Sequence, residues 1–141
     1  MVKLRPTNTK VVLLRTPMVV PVWSHVNSIC PPLGLAYVAA SLQNKGYDVR
    51  CVDALGEAPL QKIYSKDKKF INFGLSTKEI IQHLSYDSFD VLFISVMFSH
   101  DWPMTKSIIQ VIKKAFPDVF IVCGGEHINA CPEFSMKQCP E

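Results

Sequence analysis

Four short apolar runs set the rhythm of the chain: Val11–Leu14, the Val49, Cys51 and Val52 positions within Tyr47–Asp53, Val91–Val96, and Val119–Cys123. Runs of this length, rich in Val, Ile and Leu, read as strands. VVLL and VLFISV are continuous enough for parallel strands buried on both faces. Between the runs the apolar period lengthens. Leu35, Val38, Ala39 and Leu42 recur at i, i+3, i+4 and i+7 and predict a helix with its stripe on a core. Pro31 and Pro32 suit its opening, Lys45 its last turn, and Gly46 the left-handed residue just beyond. Ser76 and Glu79 make a capping-box pattern ahead of Ile80, Ile81 and Leu84. Asp101 is placed to N-cap a helix over 102–116, whose predicted buried stripe is Met104, Ile108, Val111, Ile112 and Ala115. Pro132 starts a short helix around 133–137.

The resulting order is β-α-β-loop-α-β-α-β. Right-handed crossovers then predict an α/β fold, a flavodoxin-like (Rossmann-like) three-layer parallel sheet. Its C-terminal rim would carry the loops 16–30, 53–58, 97–101 and 124–130, the edge at which open α/β sheets bind ligands. Residues 1–10 read as a tail and 11–141 as one domain. Residues 55–75, with Gly56, Pro59 and four lysines, read as an extended surface excursion. The chain stops at KQCPE, where a sheet of this type enters a fifth strand and helix, so the expectation is a domain incomplete at its C-terminus with one unpaired edge.

Composition narrows the class. At 141 residues with 48% apolar content there is room for one real core, and disorder is disfavoured. The net charge of +3 is modest, and its densest source, SKDKK at 65–69, reads as a solvated loop; no nucleic-acid partner is expected. No apolar run is long enough to span a membrane, and the polar start MVKLRPTNTK has no signal-peptide core. Five cysteines without scaffold spacing suit reduced thiols and a cytoplasmic setting.

Three stretches taken together carry more. PPLGLAYVAASLQNKGYDVRCVDA, FDVLFISVMFSHDW and PDVFIVCGGEHINACPEF resemble the N-terminal cobalamin (vitamin B12)-binding domain of cobalamin-dependent radical SAM enzymes, over nearly the whole chain from about residue 11. PPLGL and GG.H at this separation carry most of the specificity. The resemblance implies a domain holding cobalamin, with Pro32, Leu33, Gly34, Ser95, Val96, Met97, Gly124, Gly125 and His127 as cofactor-binding residues. Residues 95–99 and 124–128 would meet the nucleotide tail and corrin edge, and 31–35 would close the rim. Gly34, Ser95, Gly124 and Gly125 would let the backbone approach closely, and N–H groups at the start of the PPLGL helix would serve the phosphate.

Two departures qualify the implication. Cobalamin domains that replace the lower cobalt ligand with a histidine carry D-x-H-x-x-G in the first rim loop; here that loop offers only His25, in WSHVNS. The expectation is cobalt without a lower His ligand, and no protein metal ligand. His127 holds the GG.H position and is the better candidate for a ligand contact, while His100 is expected to hydrogen-bond within its loop. Radical SAM chemistry needs C-x-x-x-C-x-x-C to hold its iron–sulfur cluster. Cysteines 30, 51, 123, 131 and 139 nowhere show that spacing. S-adenosylmethionine and the 4Fe-4S cluster are therefore expected on a radical SAM domain C-terminal to Glu141, and this chain is expected to be a non-catalytic piece of a methyltransferase.

The competing readings are weaker on the residues. Cys123, His127, Cys131 and Cys139 have no standard zinc spacing, no thiol has an identifiable His–acid partner, and TPMVVP after the first strand is not G-x-G-x-x-G. The main alternative is a degenerate flavodoxin-like domain that no longer binds cobalamin and acts as an interaction module. Trp23, Phe98 and Trp102 are either apolar walls of a binding slot or core residues capping the sheet edge.

Overall fold

A computed structural model describes residues 9–24 and 29–140. In chain order the first elements are β1 (Lys10–Arg15), β2 (Met18–Pro21), α1 (Leu33–Asn44), β3 (Asp48–Asp53), α2 (Ala54–Glu57), β4 (Lys62–Tyr64) and β5 (Phe70–Phe73). They are followed by α3 (Thr77–Leu84), β6 (Val91–Ser95), α4 (Trp102–Ala115), β7 (Phe120–Gly124), α5 (Glu126–Ala130) and α6 (Pro132–Gln138). A 3-10 turn, Ser99–Asp101, leads into α4. Lys10, assigned to the tail from sequence, is already the first residue of β1.

All four predicted strands form, and they make one parallel sheet in the order β3-β1-β6-β7. With helices flanking it, this is the flavodoxin-like α/β architecture expected. The core lies where one face of the sheet (Val12, Leu14, Val52, Leu92, Ile94) meets Ile80 and Leu84 of α3 and Ile108, Ile109 and Ile112 of α4. Removing such side chains from water is the main source of stability here. The other face is covered by α1 over β1 and β3, where Val11 and Leu13 are buried.

Local chemistry explains the helix ends. Glu79 accepts from the Ser76 N–H at 2.7 Å and from its hydroxyl at 2.6 Å, while the Ser76 hydroxyl accepts from the Glu79 N–H, so the capping box is closed. Gln61 adds a third bond to Glu79 at 2.8 Å. These donors hold the Glu79 carboxyl down to about 2, the Ser76 hydroxyl contributing most. After α1, Gly46 (φ 83°) donates to Gln43 and Tyr47 donates to Leu42, the paired closure of a Schellman turn. Lys45 is the C-cap residue rather than part of the last turn.

Four expectations are corrected. Residues 55–75 are not an extended excursion, and 16–30 is not simply a loop: β2, β5 and β4 form a second, antiparallel three-stranded sheet whose Val20 and Phe73 pack on Leu55 of α2. Its hairpin turns through SKDKK, where Asp67 accepts from the Ser65 hydroxyl and the Lys69 N–H and Lys68 is left-handed at φ 57°. That charged run is turn chemistry. The buried side of α4 is Trp102, Thr105, Ile108, Ile109 and Ile112, with Val111 and Ala115 exposed. The stripe is rotated to include Trp102, whose indole lies against His127. In α1 only Ala39 is buried, and Val38 is exposed.

Candidate functional site

The C-terminal ends of the parallel strands bring one residue from each into a row. The register pairs Asp53 with Arg15, Arg15 with Ser95, and Ser95 with Gly124. Arg15 Nη1 donates to the Cys30 carbonyl at 2.8 Å and lies 3.4 Å from Asp53 Oδ2. The guanidinium therefore ties the approach to α1 onto the sheet edge. Asp53 in turn accepts from the Gly56 N–H at 2.9 Å and caps α2.

Next to this row α1 begins at Leu33 with Pro32 as its N-cap. There is no side-chain cap and no acidic residue in the first turn, so the amide end of the helix is left electropositive. Leu33 and Gly34 are exposed, and Pro32 is half-buried.

At the other side of the row, β6 and β7 are zipped beyond their ends. The Val96 N–H donates to the Gly124 carbonyl at 2.7 Å, and the Val96 carbonyl accepts from the His127 N–H at 3.3 Å. Gly125 sits at φ 112°, and a Cβ there would lie 2.4 Å from the Val96 carbonyl oxygen. The second glycine of the pair is thus required by the chain's own packing. At Gly124 and Gly34 an added Cβ would meet nothing within 4 Å. Those two are not needed by any contact of the fold.

The predicted site residues accordingly separate. Ser95, Gly124 and Gly125 share the β6–β7 corner, and Met97 is exposed beside it. Pro32, Leu33 and Gly34 stand at the head of α1. Val96 and His127 are buried. His127 is 4% exposed, with Nδ1 2.9 Å from the Ser99 hydroxyl and Nε2 3.3 Å from that of Ser135. His25 lies outside the described residues.

The rim aromatics are also sorted. Trp102 is core, whereas Trp23 and Phe98 are exposed. Phe98 stacks on His100 with centroids 5.4 Å apart. Asp101, expected to cap α4, makes no such bond. Its phi and psi are already helical, and Oδ1 instead accepts from the Val19 N–H of β2 at 3.0 Å. Burial pushes this carboxyl up, against the opposing pull of the Val19 N–H and His100. Cys123 is likewise raised by burial, to about 11, which leaves it a poor nucleophile. Among the described residues, no three His, Cys, Asp or Glu side chains are grouped to hold a metal ion.

A family model for the B12 binding domain matches residues 19–141. The chain belongs to the B12-binding domain family. It is 29% identical over 103 residues to a cytidylyl-2-hydroxyethylphosphonate methyltransferase of Streptomyces wedmorensis, covering 72% of this chain and 19% of that protein. It is 27% identical over 136 residues to an uncharacterized methyltransferase of Pyrococcus horikoshii, covering 93% of this chain and 25% of the relative. The chain thus spans a quarter or less of these relatives' length. No solved structure matches it significantly.

For a B12-binding domain the rim has suitable features. A corrinoid is broad, apolar at its edges and amide-fringed, with a phosphate in its tail. The open glycines, the exposed Leu33, Met97 and Phe98, and the uncapped end of α1 suit such a group in polarity and in the backbone access they leave. Sequence reasoning missed Arg15, Ser99, Ser135 and the Asp101–Val19 bond. Asp101 and Val19 are 82 residues apart, and no local pattern announces such a pairing.

Proposed function

We propose that this domain binds cobalamin across the C-terminal rim of its parallel sheet, as the cofactor-holding part of a cobalamin-dependent radical SAM methyltransferase. The observation that carries the reading is the pair Gly34 and Gly124. Both face open space at the rim, and neither is demanded by the fold. When bound, cobalamin supplies a cobalt centre able to carry a methyl group. This chain's residues bind and orient. Gly34 and Gly124 admit the cofactor to the backbone, the α1 amides attract the tail phosphate, Ser95 offers a hydroxyl, and Leu33, Met97 and Phe98 cover the corrin edge. S-adenosylmethionine and the 4Fe-4S cluster belong to further polypeptide of the parent enzyme, in keeping with the greater length of the methyltransferase relatives.

In this reading none of the described histidines would serve as a lower ligand to the cobalt. Among the described histidines, His127 has both ring nitrogens bonded internally and His83 lies 3.1 Å from Glu57, leaving His100 as the exposed one on the rim. The test is a visible-absorption titration of the purified chain with hydroxocobalamin and methylcobalamin. A retained, coloured, base-off complex without a His-ligated signature is expected, and it should be lost in Gly124→Phe. A His-ligated spectrum that disappears in His100→Ala would overturn the ligation claim. No retention, by this chain or by one extended past Glu141, would overturn the cobalamin reading and favour an interaction module.

A further inference from the structure

We infer that His127 is a positioning residue: its imidazole, clamped between the Ser99 and Ser135 hydroxyls, fixes the rim loop that presents Met97 and Phe98 to the cofactor, and does not itself touch the ligand. The inference deepens the cobalamin reading and rests on it. The hydrogen bonds assign the tautomer. The Ser135 hydroxyl donates its one proton to the Cys131 carbonyl at 2.8 Å, so toward His127 it accepts, and Nε2 carries the imidazole proton. Nδ1 of the neutral ring then accepts from the Ser99 hydroxyl at 2.9 Å. Both nitrogens are used. The ring also lies against the Trp102 indole, centroids 5.2 Å apart, which leaves it no free face on that side.

The loop is held at three successive points. Val96 bonds to Gly124 and His127 through its backbone, Ser99 to the imidazole, and Asp101 to the Val19 N–H. Met97, at 49% exposure, and Phe98, at 57%, stand between these anchors and project apolar surface into water. A loop pinned on both sides of two exposed apolar residues is built to offer them to a partner, because a free loop would fold them away. His127 joins that loop to α6, since Ser135 is the far end of the clamp.

The experiment compares Ser99→Ala, His127→Asn, His127→Gln and Phe98→Ala with the wild-type chain. Hydroxocobalamin binding is read by absorption, the imidazole tautomer by long-range proton–nitrogen NMR, and loop amide protection by hydrogen exchange. The His127→Asn variant keeps an acceptor where Nδ1 stands, and the His127→Gln variant keeps a donor where Nε2 stands. His127→Asn is therefore expected to bind more tightly than His127→Gln, whatever their relative thermal stabilities. Ser99→Ala should stay folded, lose protection at 97–101 and bind about tenfold more weakly. Phe98→Ala should weaken binding with the tautomer unchanged. If Ser99→Ala binds like wild type while a folded His127 variant does not bind, His127 touches the ligand and the inference fails. An Nδ1–H tautomer in the free wild-type chain would overturn the clamp irrespective of cobalamin. Failure of the wild-type chain to bind, with the Nε2–H tautomer and protected loop intact, would instead overturn the cofactor reading and with it the presenting role.

Discussion

The two faces of the parallel sheet are built to different standards. On the α3–α4 side, Val12, Leu14, Leu92 and Ile94 are essentially sealed. On the α1 side, Val11 and Leu13 are sealed too, but only under the helix. Farther along, Phe93 and Val122 are half-buried, and Phe120 is 63% exposed. The same strands supply both faces, so strand propensity does not explain the difference. What differs is the cover. α3, α4 and α5 bring apolar side chains to one face, with Cys139 just past α6, whereas α1 lies mainly over β1 and β3. The closed face carries the stability, and the half-open one adjoins the row Arg15–Ser95–Gly124. Binding groups can sit at that border without opening the core.

The sharpest way to break this comparison is to remove volume on each side. Ile94→Ala should cost roughly 2–5 kcal/mol of unfolding free energy, since the cavity left behind cannot collapse. Phe120→Ala, on the half-open face, should stay within about 0.5 kcal/mol. Urea denaturation of both would show it, and equal losses would mean the outer face is covered in solution. Next in size is the glycine pair. Gly125→Ala must strain a left-handed backbone against the Val96 carbonyl and should cost about 1–3 kcal/mol. Gly124→Ala should be nearly silent in thermal melts yet weaken cobalamin retention. If Gly124→Ala binds normally, the open glycine is not a point of approach.

Asp101→Ala leaves the buried Val19 N–H without its acceptor and should cost about 1–3 kcal/mol, whereas Asp101→Asn keeps an oxygen there and should cost less. Hydrogen exchange at the Val19 amide would report this directly. The smallest effect concerns pH. The Glu79 carboxyl is depressed in the folded chain from 4.5 to about 2, so its contribution is fully present above pH 4.5 and fades as pH falls toward 2. Glu79→Gln should flatten the melting temperature of the domain across that window, and an unchanged acid slope would show that other carboxylates set it.

The parallel strands and the helices α1, α3 and α4 were legible because each obeys a local rule: continuous apolar runs for buried strands, 3.6-residue spacing for α3 and α4, and cap chemistry at Ser76 and Gly46. The small sheet was not. β4 has three residues, and β2 pairs with β5 across a long stretch of intervening chain, so neither shows a period long enough to read. The rim motifs PPLGL and GG.H were legible as positions. Their division of labour was not: Gly124 and Gly125 are adjacent and chemically identical, yet one faces open space and the other a carbonyl oxygen. His127, too, looks like a ligand-facing residue until Ser99 and Ser135 are brought to it from 28 and 8 residues away.

By itself, then, the sequence determined the alternation of strand and helix and the family, because hydrophobic period, cap residues and short motifs act over a few neighbouring positions. The tertiary structure alone decided which side of the sheet is closed, which glycine is open, and which polar side chains are spent holding the rim, because those depend on groups that meet only after the chain has crossed over itself.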